Sequence, residues 1–405
     1  MKKNKNAAKA GTSTAEPDEL LASRMVNLAL DLREVDVYAE LPEALKKAQA
    51  ELHRAIRKCL QQKREAALDE ALEMAFEEDA QAYRVLRAQI EEMAGALLVQ
   101  RPDEQGNAPA IEVNAFVVPL FVHTKGGLHP EQCFQDEHAF EQLRDSFKGG
   151  GLESRKASVV LVAHAYHLDE LERIGYCQLN GMVHEAMEAM TKKKPPAADA
   201  IARSMSGWPP THFAPDDSVM ELRFLLGFAL KTMDDPFYQI PQKEAAADRY
   251  FEQRAERFRK WSQDVMPVLK RCLVTDGRAV QIDFLYQDLF HGGKEAAVRE
   301  LDMLRVLSEI QQSLEENGTA PEAASAIIGP METEDDDVLR ISVRTTEKDA
   351  EIGSVEKTVS RTETVENAIA DLADGLNSVG VQDIKITRRF DADGAPTTVR
   401  PYSPR

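Results

Sequence analysis

The chain has 405 residues, with 69 acidic side chains against 50 Lys and Arg, a net charge of −19 and 43% apolar side chains. No apolar run reaches the ~18–20 residues that a bilayer crossing needs, which argues against an integral membrane protein. The acidic balance argues against nucleic acid as a partner, because a phosphate backbone calls for a concentrated excess of Lys and Arg. The length suits two or three domains of ~100–200 residues.

Residues 1–16 hold four Lys in the first nine positions and nothing apolar enough to offset ordering entropy, so a disordered tail is expected. The segment lacks the apolar stretch of a secretory signal, so a cytoplasmic location is expected. Residues 17–110 carry helical periodicity. Met25, Leu28, Leu32 and Val35 form one stripe, and Leu45, Leu52, Ile56 and Cys59 a second, opened by Pro42. A third runs from Leu68 to Leu97 through Phe76, Tyr83, Leu86 and Ile90, and predicts one long helix.

From residue 111 the pattern turns to strand and helix in alternation. Val113–Val122 is β-branched and aromatic, Glu137–Phe147 is helical and closed by Gly149-Gly150-Gly151, and Ser158–Val162 is continuously apolar. A helix over Tyr176–Met190 completes a first α/β unit, 111–192. Residues 193–217 hold five Pro and read as a linker. A second unit, 218–331, repeats the order: a strand over Glu221–Leu230, a long helix through Tyr250, Phe258 and Trp261 bent near Pro267, a strand over Val280–Tyr286, and a helix over Lys294–Glu315. The shared order suggests an internal duplication. An acidic hinge, Glu332–Asp337, leads into a small β-α-β unit, 332–390. Its strands Val338–Arg344 and Ile384–Thr387 alternate with period two, Val355–Thr362 is a further strand, and its helix runs from Thr364 to Gly380. Residues 391–405 read as a polar tail. The expected fold class is α/β, with α+β the alternative.

Charge is uneven along the chain. Residues 111–337 hold 38 acidic and 24 basic side chains, whereas residues 338–405 hold 11 and 10. The middle region should therefore repel polyanions.

Cys59, Cys133, Cys177 and Cys272 form no CxxC pair and read as reduced structural thiols. Six of the nine His fall within residues 123–184: His123, His129, His138, His164, His167 and His184. Imidazoles are natural ligands of transition metals, and His164 with His167 is the candidate metal pair, although no HExxH is present. Open α/β sheets bind ligands beyond the carboxyl ends of their strands. That rule selects His167, Asp169 and Glu170 after one strand, and Asp288, His291, Gly292, Gly293 and Lys294 after the other. In the second set, two Gly and a Lys at a helix start offer backbone N–H groups and a positive charge to a phosphate. Neither a P-loop nor GxGxxG accompanies them.

The stretches Asn114–Leu120, Val159–Leu171 with its Tyr166-His167-Leu168-Asp169-Glu170-Leu171 end, and Glu221–Gly227 resemble a proteobacterial family of about this length, catalogued as a domain of unknown function. The resemblance covers residues 20 to 330 and implies no activity, cofactor or catalytic residue. The preferred reading is a non-catalytic module that binds a small molecule or a protein partner, with homo-oligomers admitted. The alternatives are a metal-assisted hydrolase using the His-rich region 123–184, and a scaffold associating through the long helices Leu68–Leu98 and Gln242–Cys272. Nothing in the chain names a cofactor or decides whether it is an enzyme.

Overall fold

The computed structural model describes residues 17–33, 42–100, 110–124, 136–192, 220–273, 280–331 and 338–403. The expected tail 1–16, the Pro-rich linker 193–217 and the acidic hinge 332–337 lie outside them. The chain divides into two compact units, one of residues 1–117, 124–219 and 224–280, the other of residues 118–123, 220–223 and 281–405. Among the described residues, no helix is long and apolar enough to cross a membrane.

The first unit begins with four helices, α1 (Asp18–Leu32), α2 (Glu43–Gln62), α3 (Glu65–Glu78) and α4 (Ala80–Gly95). Each buries a single stripe, such as Leu21, Met25, Val26 and Ala29 on α1 and Leu52, Ile56 and Cys59 on α2. Fully buried Ala22, Ala29, Ala67, Ala71 and Ala75 have no bulk to hold the helices apart. The single helix expected over 68–98 is instead two helices and a strand. Asp79 takes an extended backbone, and its Oδ1 accepts the N–H groups of Gln81 and Ala82 at 2.8 Å, which starts α4 afresh. Beyond Gly95 the chain enters β1 (Ala96–Gln100), whose ladder with β2 (Ala110–Thr124) outweighs the helical spacing of Leu97. The region 17–110 is thus helical only to residue 95.

β1 and β2 are antiparallel, with Ala96 opposite Asn114 and Gln100 opposite Ala110. The strand order continues through β4 (Met220–Thr232) to β3 (Ser158–His167). Met233 N–H donates to the Ala110 carbonyl, Lys231 meets the Glu112 carboxylate at 3.2 Å, and Gly227 faces Phe116. One index falls as the other rises, so β4 also runs antiparallel to β2. A Cβ on Gly227 would stand 2.3 Å from the Phe116 ring, so glycine is required for the close approach.

From Phe116 an aromatic chain leads away from the sheet. Phe147 on α5 (Glu137–Gly149) lies 5.3 Å from Phe116, and Trp261 on α8 (Glu244–Cys272) lies 5.1 Å from Phe147. Trp261 Nε1 donates to Ser146 Oγ at 2.8 Å, and a Cβ on Gly150 would sit 2.6 Å from the indole. The first strands of the blocks 111–192 and 218–331 therefore pair with each other, and their first helices, α5 and α8, pack together. α6 (Leu168–Glu172) and α7 (Tyr176–Lys192) follow β3.

In the second unit β5 (Val280–Phe284) and β6 (Asp288–Leu289) pair with β2. Leu285 N–H donates to Pro119 O at 3.1 Å, and His123 Nε2 stands 3.4 Å from Asp283 Oδ2. After α9 (Phe290–Glu316) come β7 (Ala324–Pro330), β8 (Val338–Thr345), β9 (Glu351–Thr358), α10 (Val365–Ser378), β10 (Asp383–Thr387) and β11 (Val399–Pro401). The sheet order is β11-β10-β7-β8-β9, with β7 parallel to β10 and the other pairs antiparallel.

One face of this sheet, through Ala326, Ile328, Leu339, Ile341 and Val343, packs on Val306, Ile310 and Leu314 of α9 and Leu372 and Leu376 of α10. Full burial of one such aliphatic side chain stabilises by about 1.5–3 kcal/mol. On β8 the alternate residues Arg340, Ser342 and Arg344 turn the other way and meet Glu351. Two expected boundaries move. β7 joins the C-terminal sheet although it precedes residue 332, and the expected tail 391–405 folds back so that β11 pairs with β10, with Val399 opposite Thr387.

Candidate functional site

The structure gathers His164, His167, Asp169 and Glu170 at the carboxyl end of β3. His167 closes the strand and caps α6: its Nδ1 accepts Asp169 N–H at 3.3 Å, while Glu170 Oε2 accepts His167 N–H at 2.7 Å. This is a capping box with His in the usual Ser or Thr position. The same Glu170 oxygen stands 3.4 Å from His164 Nε2, although Glu170 is only 5% exposed. The His164 ring packs against Tyr166 at 4.4 Å. Burial, with the nearby Glu170 charge, pushes the Tyr166 phenol far above its ordinary value, so it stays protonated.

This arrangement has a chemical consequence. His164 and the His167 backbone share one carboxylate oxygen, and His167 Nδ1 serves as a helix cap. Neither observation supplies converging metal ligands. Among the described residues no group of three or more His, Cys, Asp and Glu is placed to hold a metal ion. Elsewhere in the His-rich stretch, His138 pairs with Gln142 on α5, and His129 and Cys133 lie outside the described residues.

The other predicted residues belong to the second unit. α9 starts at Phe290, so His291, Gly292, Gly293 and Lys294 form its first turn instead of preceding it. His291 is buried, with its ring 5.1 Å from that of Phe290. Asp288 Oδ1 accepts Leu289 N–H at 2.7 Å, and its other oxygen lies 3.0 Å from where a Cβ on Gly292 would be.

A third cluster escaped motif reading. Between β4 and α8 the chain makes a turn, Pro236–Tyr238, opened by Asp235. Asp235 accepts the Ser154 hydroxyl at 2.6 Å and Phe237 N–H at 3.0 Å, and these bonds hold its carboxyl below the usual range. Tyr238 donates to Glu153 Oε2 at 2.5 Å, and the Lys231 ammonium lies 4.8 Å from the Tyr238 ring centre. Burial, then the Glu153 charge, raises the Tyr238 phenol well above its ordinary value.

The guanidinium groups of Arg254 and Arg257, one helical turn apart on α8, stand 5.6 and 5.5 Å from the centre of the Phe237 ring. Tyr250 OH donates to Phe237 O, and Arg254 donates to Tyr250 OH at 3.2 Å. In the chain segments that flank these groups, Met233, Ile240 and Phe251 are 40%, 56% and 52% exposed. The available signal was the insertion of Arg254 and Arg257 among the aromatic positions Tyr250, Phe251, Phe258 and Trp261.

A family model described as "Protein of unknown function (DUF2863)" matches residues 18–402. The chain belongs to this family. Among curated proteins and among solved structures, nothing matches. The DUF2863 match extends past residue 330 through the C-terminal sheet, so that sheet is part of the family's pattern.

Proposed function

We propose that this DUF2863 chain is a non-catalytic binding module for a protein partner, and that its contact surface is the turn 236–240 with the amino-terminal half of α8. The observation that carries the reading is the fate of one helical stripe. Phe251, Phe258, Val265 and Leu269 share a face of α8; the last three are at most 7% exposed, yet Phe251 is 52% exposed. The helix outruns its partner α5, 29 residues against 13, and its apolar stripe continues past the end of the packing. Exposed Ile240 and Met233 add to the apolar surface.

The occupant is an acidic protein segment that also carries apolar side chains. Residues 249–260 hold five Arg and Lys against two Glu, a local reversal of charge in a chain of net −19. Such a surface steers an anionic partner at low salt. The cytoplasm is the proposed setting, in accord with the free thiols of Cys59, Cys177 and Cys272. Burial pushes the Cys272 thiol up to about 12, far from the reactive range.

The probe is a fluorescein-labelled synthetic peptide that alternates Asp or Glu with Leu and Phe, followed by anisotropy, beside a single-stranded oligonucleotide of equal charge. Saturable peptide binding that weakens with salt and drops at least ~5-fold in Phe251→Ser is expected. No saturation by about 1 mM peptide overturns the reading. So does binding confined to the oligonucleotide, or light scattering that shows Phe251 consumed in a dimer of the chain itself.

A further inference from the structure

We infer that Arg257, assisted by Arg254, forms an oxyanion site on the surface of the first unit, which receives a carboxylate or phosphate group. The inference rests on the docking reading for the partner but on separate observations for the site.

Among the described residues Arg257 has no hydrogen-bond or ion-pair partner; its guanidinium contacts the Phe237 ring. Its Nε is buried without an acceptor, and its two terminal nitrogens are not sealed off. The sealed Nε stays without an acceptor, so the open terminal nitrogens are the donors that an outside oxyanion can reach. The side chain is also held in place. A Cβ at Gly151, whose φ is +75°, would stand 3.2 Å from Arg257 Cδ, so the stem lies against the turn that ends α5, and the planar group lies by Phe237. A guanidinium held this way loses little freedom when it bonds an oxyanion through two parallel N–H groups.

Arg254, which also donates to Tyr250 OH, brings a second positive charge to the same ring. The carboxylates at hand are engaged elsewhere: Glu153 with Tyr238, Asp235 with Ser154 and Phe237 N–H, and Glu256 with Arg259. Arg223 shows the other way to bury a guanidinium, since it is only 1% exposed and is paired with Glu221. Exposed Phe251 lies three residues before Arg254 on the same helix, and exposed Ile240 and Met233 flank the turn Pro236–Tyr238 in the chain. A docked segment with an acidic and an aromatic or aliphatic residue would engage both.

Calorimetric titration of the full chain with inorganic phosphate and with the acidic peptide tests the site, in wild type and in Arg257→Gln, Arg257→Lys and Phe251→Ser, each shown folded by circular dichroism. Arg257→Gln should weaken both ligands at least ~10-fold, with Arg257→Lys between it and wild type. Phe251→Ser should weaken the peptide and leave phosphate unchanged. Equal phosphate affinity in Arg257→Gln and wild type overturns the oxyanion site, even if peptide binding still depends on Phe251. Loss of phosphate in Arg257→Gln with peptide binding indifferent to Phe251 removes the docking reading and leaves the site standing.

Discussion

At the start of α6 and of α7, backbone N–H groups meet a carboxylate of the same chain, whereas on α8 the Arg257 guanidinium meets none among the described residues. The α7 case is the clearest, because Glu65 reaches over from α3 to accept the N–H groups of Tyr176 and Cys177 at 2.5 and 2.7 Å. Gly175 permits that approach, since a Cβ there would stand 2.6 Å from the Glu65 carboxylate. Helix starts are natural anion sites, and here the fold fills them with its own acids. An unmatched cation within an aromatic stripe is therefore the better guide to where an outside group can bind.

Removing Glu65 is the strongest way to break this contrast. Glu65→Ala leaves two half-buried N–H groups unmatched at the joint between α3 and α7, and should cost about 2–3 kcal/mol of stability by denaturant titration. Glu65→Gln keeps one acceptor and should cost about half as much. A loss under about 0.5 kcal/mol for the alanine variant would mean that water replaces the carboxylate, and that the helix start is open after all.

Glu170 sharpens the contrast at smaller amplitude. Glu170→Gln can still accept His167 N–H through its amide oxygen, but it removes the charge facing His164, so about 1 kcal/mol should be lost. Addition of zinc or manganese should leave the melting temperature of wild type and variant equally unmoved. Metal-dependent stabilisation of wild type alone would support the His164 and His167 metal reading.

Local features were legible in the sequence, and long-range ones were not. The strand expected over 221–230 is β4, Met220–Thr232, and the helix expected from Thr364 is α10, capped by Thr364 Oγ1 and stopped where Gly380 takes a φ of +95°. His167, Asp169 and Glu170 come together because a strand end and a helix cap lie within four residues. The break at Asp79 went unread because Leu and Ala spacing runs through it, and a side-chain cap leaves no mark on apolar periodicity. β1 depends on β2, and β7 takes its ladder from β8 and β10, all later in the chain. The Arg257 site is the least legible of all. Its stem rests on Gly151 and its charge on Phe237, contacts that no spacing rule connects.

Ser154 and Asp235 give the smallest effect and a sign that can be worked out in advance. The Ser154 hydroxyl, then Phe237 N–H, hold the Asp235 carboxyl below its ordinary pKa. A carboxylate with a depressed folded-state pKa adds stability above its unfolded value of about 3.9 and loses it as pH falls through the folded value. Ser154→Ala removes the larger cause, so wild type should melt higher than the variant at pH 6–7, and the gap should close as the pH falls through the depressed folded value. Because Asp235 is partly exposed, the gap should also narrow with added salt. If it stays constant from neutral to acidic pH, Ser154 supports the turn through packing instead of through the ionised carboxylate. The turn beside Arg257 would then be held by the Tyr238–Glu153 bond and by Tyr250 on Phe237 O.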